Sequence, residues 1–333
     1  MNLEVLSTTQ NRFGLITGPE ARVVDDVNDA LMWGAMAFLR QQGFKWIEVP
    51  TLTKITGACE NVDTLYSVDH FGQEAYLAQT GQLYLEAKIP LHSKLWTIIT
   101  SSRAEGRPDS RHLNQFQLIE LEHVGSLDAL LDNLEGTVKA MLGHAFWEQR
   151  DTLRKLGRLA ELKRWMELPF VRMTYTRAVD WLNGTPYEFA WGEDLSSDAE
   201  QYLVQENGNN PIFITYFPKE IKFFNMRVNP LDGRVVNSAD LIMPYSGESA
   251  GAAERENDYD MLVKRLEESP MFRILSERGK TLEDFKDYLE MVREHPILHS
   301  GCGIGFSRIS QAVLGTDDIR TSTSYPIQSD VLY

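Results

Sequence analysis

Near the start of the chain, apolar residues recur at the spacing of one helix face. The positions that share this face are Val23, Val27, Leu31, Gly34 and Phe38. This spacing predicts an amphipathic helix that Gly43 would end. The next run, FKWIEVP at residues 44–50, predicts a strand closing on a proline. Residues before Arg22 show neither pattern, so we expect an irregular lead-in there.

Between residues 80 and 124, two apolar strands enclose a polar loop. The pattern predicts a short helix from Gln82, a strand over residues 94–100 and a return strand over 117–124. The loop between the strands carries a dense set of charged residues, followed by an aromatic one. These are Arg103, Glu105, Arg107, Arg111, His112 and Phe116.

Helical and strand patterns alternate over the rest of the chain. Residues 127–168 and 258–294 predict helices with solvated charged faces, and IFITYFP at 212–218 predicts a strand. Residues 218–244 predict strands about a tight turn at 229–233. Periodicity alone therefore predicts a mixed α/β protein.

Composition narrows the class of protein. The chain has 333 residues, 43% of them hydrophobic, with no apolar run of the roughly 20 residues that a membrane helix needs. Its N-terminus lacks the basic start and apolar core of a signal peptide. Two cysteines, Cys59 and Cys302, cannot build a disulfide framework or a zinc site. We therefore predict a cytoplasmic protein without a membrane partner.

The formal net charge is −15. Proteins that neutralise many phosphates of a nucleic acid usually carry a basic stripe, and this sequence has none. The charge makes tRNA a possible partner but not the favoured one.

The loop at residues 103–114 holds three arginines and a histidine between apolar strands. Arginine binds phosphate and carboxylate as a planar fork, so a polyphosphate bound beside an amino-acid carboxylate is a suitable ligand. The alternative from the residues alone is an exposed basic hairpin tip.

An acidic pair, Asp240 and Glu248, flanks a predicted strand–turn–strand. Two carboxylates placed this way can converge on one Mg²⁺, which also takes phosphate oxygens and water. The small residues at 249–253 would let the backbone approach a ligand. Taken alone, such a pair is more often structural than metal-binding.

Together these segments resemble the class II aminoacyl-tRNA synthetases of the asparaginyl and aspartyl type. The segment RAE…RHLNQF…LIELE is similar to motif 2, and the helix and strand before Pro50 are similar to motif 1. Glycines at 301, 303 and 305 followed by Arg308 are similar to motif 3. TGQLYLE, ACENVDTLY and the segment around Arg255 resemble the substrate-binding segments of that family.

The resemblance implies a role for each matched residue. Catalysis of adenylate formation would rest on Arg103, which holds the substrate carboxylate against the α-phosphate of ATP, and on Arg308. Further ATP contacts would come from Arg111, His112, Phe116 and Glu248, and Mg²⁺ would bind Asp240 and Glu248. The amino acid would be bound by Glu60 and Gln82 at its α-ammonium and by Glu105 and Arg255 at its side chain.

The same resemblance implies an α+β fold, the class II catalytic domain, with an antiparallel β-sheet flanked by helices and a homodimer formed through motif 1. We expect residues 1–21 to be a lead-in and 22–333 to form a single catalytic domain. Because motif 1 begins near residue 22, no room is expected for the family's N-terminal anticodon-binding OB domain. This arrangement is similar to the AMP-forming asparagine synthetases of archaea, which activate aspartate and transfer it to ammonia.

Several positions depart from the family pattern. Ser102 stands for Phe, Gln115 for Glu, Asn225 for Tyr, Ser307 for an acid, and YPIQ for FPR. These departures favour a retained activation step with an altered second step. Leu85 stands where aspartyl enzymes have Lys, and Glu105 with Arg255 is the asparaginyl-type pair. Both aspartate and asparagine therefore remain open as substrates.

The leading hypothesis is an ATP-dependent ligase that activates aspartate or asparagine and transfers it to ammonia or another small amine. One alternative is a tRNA ligase without an anticodon domain. The other is a non-catalytic regulatory paralogue, against which the retained ATP-facing arginines argue.

Overall fold

The computed structural model describes residues 2–8, 12–54 and 62–332. Its strands form one large and one small sheet. In chain order they are β1 (Lys45–Trp46), β2 (Leu52–Thr53), β3 (Ser67–His70), β4 (Gln73–Leu77), β5 (Lys94–Ser102), β6 (Gln115–Val124), β7 (Val171–Thr174), β8 (Ile212–Thr215), β9 (Ser238–Met243), β10 (Gly247–Glu254) and β11 (His299–Gly305).

Helices cover the sheets. They are α1 (Arg12–Leu15), α2 (Pro19–Gln41), α3 (Gln82–Glu86), α4 (Leu127–Glu148), α5 (Arg150–Lys155), α6 (Leu159–Glu167), α7 (Tyr175–Leu182), α8 (Ser197–Glu206), α9 (Tyr259–Glu268), α10 (Pro270–Glu277), α11 (Lys286–Glu294) and α12 (Phe306–Leu314). Short 3₁₀ helices lie at Leu3–Ser7, Val62–Thr64, Lys219–Ile221, Leu282–Phe285 and Ile319–Ser322. No helix in these described ranges is long and apolar enough to cross a membrane.

The large sheet has eight strands in the order β1-β5-β6-β11-β10-β9-β8-β7. Its central pairs are antiparallel, and only the outermost pairs, β1 with β5 and β7 with β8, are parallel. The predicted α+β class with an antiparallel sheet flanked by helices is confirmed.

The two faces of the central strands differ in chemistry because side chains alternate along a strand. One face is apolar and packs beneath α2, α4 and α12; its residues include Leu121, Leu241, Ala252, Cys302 and Ile304. The opposite face carries charged residues and glycines; among them are Glu120, Glu122, Asp240, Gly251, Arg255, Gly301 and Gly303. A polar, partly side-chain-free face at the middle of a sheet is a place for a ligand.

Helix α2 packs along α4 of the same chain. A Cβ at Gly34 would lie 2.5 Å from the carbonyl oxygen of Ala140, so only glycine permits this close approach. The apolar stripe that includes Val27 and Leu31 is buried in the same core. This stripe therefore serves the core of one chain, and the homodimer through motif 1 stays a prediction.

Other element predictions need correction. The strand expected over 44–50 pairs only at Lys45–Trp46, and the lead-in includes the 3₁₀ helix Leu3–Ser7, whose leucines are buried. Residues 219–237 form isolated bridges instead of strands. There the Asn229 side chain accepts from the backbone N–H groups of Leu231 and Asp232, and such local bonds compete with strand pairing.

Candidate active site

A cavity of about 390 Å³ opens on the polar face of the large sheet. Within the described ranges, every residue that the sequence marked as a site residue lines it. They are Gln82, Arg103, Glu105, Arg111, His112, Phe116, Asp240, Glu248, Arg255 and Arg308. Glu60 lies outside the described residues. The fold thus assembles, from three strands and from the helices and loops beside them, a set that is scattered over more than 200 positions of sequence.

Arg103 follows the end of β5 and faces the cavity from one wall. Its backbone N–H donates to the carbonyl of Asn114 (2.8 Å), which fixes the base of the loop. Its guanidinium lies 5.3 Å from the centre of the Phe116 ring, a cation–π distance. In the described part of the chain, its Nε is buried without a hydrogen-bond partner. A buried unpaired donor in a cavity wall suits an anionic ligand.

The tip of the loop presents Arg111 and His112. The Asp109 carboxylate accepts from the backbone N–H groups of both residues (2.7 Å each) and contacts Nδ1 of His112 at 2.8 Å. Arg111 Nη2 lies 3.8 Å from Glu200 Oε2. The histidine is oriented by Asp109, and the arginine is tethered only loosely.

The C-terminal segment braces the same loop. The Gln328 side chain donates to the carbonyls of Asp109 and His112, at 2.6 Å each. The backbone N–H of Asn114 donates to the carbonyl of Ile327 (2.8 Å). These bonds hold the loop against the body of the protein and keep its cations at the cavity rim.

Arg308 enters the cavity from the first turn of α12. Its guanidinium donates to the backbone carbonyl of Glu248 at the start of β10. Beside it, burial and the nearby Glu248 carboxylate raise the pKa of Glu200 to about 8. Arg111 and Arg308 therefore both lie near carboxylates at this end of the cavity.

Asp240 and Glu248 converge at Gly251. A Cβ placed on Gly251 would lie 3.6 Å from Glu248 Oε1 and 3.7 Å from Asp240 Oδ1, so the missing side chain leaves the space between the carboxylates open. Lys222 Nζ contacts the other oxygen of Asp240 at 2.6 Å. Burial, with a contribution from Glu248, raises the pKa of Asp240 to about 7.

This donor set fits Mg²⁺. Two carboxylate oxygens face one open space, and Mg²⁺ prefers hard oxygen ligands in small number, completed by phosphate and water. Over residues 2–8, 12–54 and 62–332 there is no group of three or more His, Cys, Asp or Glu side chains placed to hold a metal alone. The site therefore suits a metal that arrives with a polyphosphate.

The opposite end of the cavity is closed by Arg255, which is 2% exposed. Its guanidinium donates to the side-chain oxygen of Gln82, and the Gln82 amide donates to the carbonyl of Cys302 at 2.8 Å. Glu105, half-buried, lines the same cavity from the loop. Gln82 is thus engaged with Arg255, in addition to its expected place beside the α-ammonium of a substrate.

Three residues of this site escaped the sequence analysis. Glu120 lines the cavity and accepts from the Thr80 hydroxyl and from the backbone N–H of Gly81 (2.8 Å). Burial raises its pKa to about 7. Its signal was the alternation Ile-Glu-Leu-Glu within the predicted return strand over 117–124. Lys222 and Glu86 have apolar neighbours in the sequence, and this pattern is equally compatible with a charged side chain on the surface.

Comparison with known proteins places these features in a family. Residues 7–329 match the family described as tRNA synthetases class II (D, K and N). The asparagine–tRNA ligase of Thermococcus kodakarensis is 35% identical over 322 residues, covering 96% of this chain and 72% of that protein.

Solved structures agree. The asparaginyl-tRNA synthetase of Pyrococcus horikoshii complexed with asparaginyl-adenylate superposes with a TM-score of 0.90 at 33% identity, covering all of this chain and 74% of that one. The Entamoeba histolytica asparaginyl-tRNA synthetase in complex with asparaginyl-adenylate gives 0.82 at 28% identity, with 96% and 71% covered. The chain belongs to the class II tRNA synthetases of the D, K and N group, a family of ATP-dependent, AMP-forming ligases.

Proposed function

We propose that this chain activates aspartate or asparagine as an aminoacyl-adenylate and transfers it to ammonia or another small amine. The observation that carries the proposal is a cavity whose lining includes Arg103, Arg111 and Arg308 together with the acidic pair described above. Its volume of about 390 Å³ lies within the range of small-molecule sites. The adenylate bound in the two solved relatives supports the same ligand class here.

In the activation step, an oxygen of the amino-acid α-carboxylate attacks the α-phosphorus of ATP. A carboxylate–phosphorus bond forms, the bond to the bridging oxygen of the β-phosphate breaks, and pyrophosphate leaves. Arg103 would hold the carboxylate against the α-phosphate, and Phe116 would stack on the adenine. Because the nucleophile is already an anion, positioning and charge stabilisation suffice and no general base is needed.

Charge on the departing pyrophosphate would be met by two arginines and a histidine at the loop end of the cavity: Arg111, Arg308 and His112. Bound Mg²⁺, held by Asp240 and Glu248, would neutralise phosphate charge at the same end. The α-ammonium would meet Glu120 and Gln82, with Glu60 in the role that the family resemblance gives it. Glu105 and Arg255 would face the side chain.

The acceptor distinguishes two candidate functions. The net charge of −15 supports a small amine, since a tRNA-binding surface must meet many phosphates. The relatives named asparagine–tRNA ligase support tRNA as the alternative acceptor. We rank the small amine first.

We further propose that residues 22–333 act as one catalytic domain and that two copies associate. The outward side of α2 carries Trp33, 56% exposed, and Trp46 on β1 is 55% exposed. Large exposed aromatic side chains are typical of association surfaces. Light scattering at micromolar concentration should give twice the chain mass of 38.0 kDa, and a monomer would contradict the dimer.

Amino-acid-dependent exchange of pyrophosphate into ATP tests the activation step. We expect exchange with aspartate or asparagine and none without an amino acid. AMP release is then measured with ammonium, with bulk tRNA and with neither. Release stimulated only by tRNA would replace the first candidate by the second, and absence of exchange with both amino acids would overturn the activation step.

A further inference from the structure

Arg255 is enclosed by carboxylates on the side that faces away from the cavity. Its Nε lies 3.5 Å from Glu86 Oε1 and 3.5 Å from Glu122 Oε1. Both glutamates are fully buried, on α3 and β6. A buried guanidinium needs such counter-charges because removal from water is costly. Its positive charge is therefore largely compensated before any substrate binds.

The two glutamates are not equivalent. Glu86 accepts from the Tyr288 hydroxyl at 3.0 Å and lies 3.4 Å from His299 Nε2. Burial opposes ionisation, but Arg255 and then His299 outweigh it and hold the pKa of Glu86 below its ordinary value. Glu122 has fewer such contacts, and burial raises its pKa to about 7. Of the two carboxylates beside Arg255, Glu86 is therefore the more readily ionised.

His299 adds an imidazole to this cluster. Burial alone would lower its pKa, but its contacts with Glu86 and Glu122 raise the pKa above its ordinary value. Gly301 makes the close arrangement possible, since a Cβ there would collide with the Glu122 carboxylate. The groups beneath Arg255 are thus two carboxylates and an imidazole, held by three separate elements of the fold.

A substrate side chain that reaches Arg255 meets a guanidinium with little excess charge. An amide oxygen can accept its hydrogen bond without adding charge, and the amide NH₂ can donate to Glu105. A carboxylate would add a negative charge near Glu86, Glu122 and Glu105, and like charges disfavour one another in buried sites. The arrangement should reject aspartate.

We infer that Glu86 is a specificity-determining positioning residue: by compensating the charge of Arg255 from below, it tunes the side-chain subsite for a neutral amide such as that of asparagine. This inference rests on the proposed function and narrows its substrate. It also bears on the second step, because transfer from an asparaginyl-adenylate to a small amine, with release of AMP, would make an α-amide of asparagine.

The test is Glu86→Gln, which removes the charge while keeping the shape and an acceptor for Tyr288. Pyrophosphate exchange with each amino acid should show kcat/KM for aspartate rising at least tenfold relative to asparagine, with the KM for ATP unchanged. The matched control is Glu161→Gln, which removes the carboxylate paired with Arg158 on α6, outside the cavity, and should leave the ratio unchanged. An unchanged ratio in folded Glu86→Gln overturns the inference.

A second variant covers a failure of Glu86→Gln to fold. Tyr288→Phe removes only a donor to Glu86 and should shift the ratio the same way by a smaller factor; no shift there overturns the inference. Calorimetric binding of aspartate and asparagine to wild type and Glu86→Gln separates this from the proposed function. Wild-type protein without exchange activity overturns the proposed function, whereas an equal change in affinity for the two amino acids overturns the role of Glu86.

Discussion

The two ends of the cavity handle positive charge in opposite ways. At the loop end, Arg103 has a buried Nε without a partner in the described chain, and Arg111 lies 3.8 Å from its nearest carboxylate. At the closed end, Arg255 is buried against Glu86 and Glu122. At the loop end the charges of the arginines can therefore be balanced by a multiply charged anionic ligand. At the closed end the charge of Arg255 is already compensated, so this end discriminates by hydrogen bonding and by repulsion of an added negative charge.

The largest expected effect comes from breaking the loop end. Arg103→Ala should cost at least ~2 kcal/mol of transition-state stabilisation, because it removes a preorganised donor where charge develops. Pyrophosphate exchange measures this loss. Arg308→Ala should behave similarly but act mainly through the KM for ATP.

The exposed Arg22→Ala on α2 is the matched control for these arginine changes, since its ion pair with Asp26 lies on the surface. Wild-type exchange rates in either cavity variant would show that the cavity does not perform the activation step.

The closed end can be broken by packing instead of charge. Gly301→Ala forces a methyl group into the Glu122 carboxylate, and such overpacking costs about 1–3 kcal/mol of unfolding free energy. Gly303→Ala, two residues along the same face, meets its nearest atoms at 3.8 Å and should be tolerated. Chemical denaturation measures the unfolding free energy of both variants. Equal values would contradict the prediction and would mean that the buried cluster rearranges at little cost.

A smaller effect is expected from Glu105→Gln, which links the two ends. The change removes the acceptor charge that faces the substrate amide, so asparagine activation should weaken and the rejection of aspartate should relax, by about 1 kcal/mol in total. The readout is pyrophosphate exchange with both amino acids. A constant ratio of the two rates would indicate that Glu105 does not face the side chain.

The contrast also explains what the sequence could and could not predict. The residues of the loop end lie close together in short stretches of sequence. Arg103 to Phe116 lie within one predicted hairpin, and Arg308 follows a run of glycines. The alternation of side chains along a strand, which puts Asp240 on the polar face, could also be predicted from the sequence. These features depend on neighbours within a few residues.

The closed end depends on pairing between distant segments. Glu86 meets Arg255 and His299 only because α3 packs against β6 and β11, and no local pattern encodes that. For the same reason, the sequence does not show what the apolar stripe on α2 packs against, because its pattern is the same whether the partner is α4 or a second chain. The prediction of strands over residues 219–237 was wrong because the hydrophobic pattern does not report the side-chain hydrogen bonds at Asn229.

The brace formed by the C-terminal segment has a consequence for the order in which the protein matures. Gln328 bonds to carbonyls 219 and 216 residues earlier in the chain. A ribosome therefore delivers the cation-bearing loop long before the residues that hold it in place. Nucleotide affinity should appear only once Ile327 and Gln328 have emerged, so a chain that stops before them would have its sheet largely assembled while leaving cellular ATP unbound.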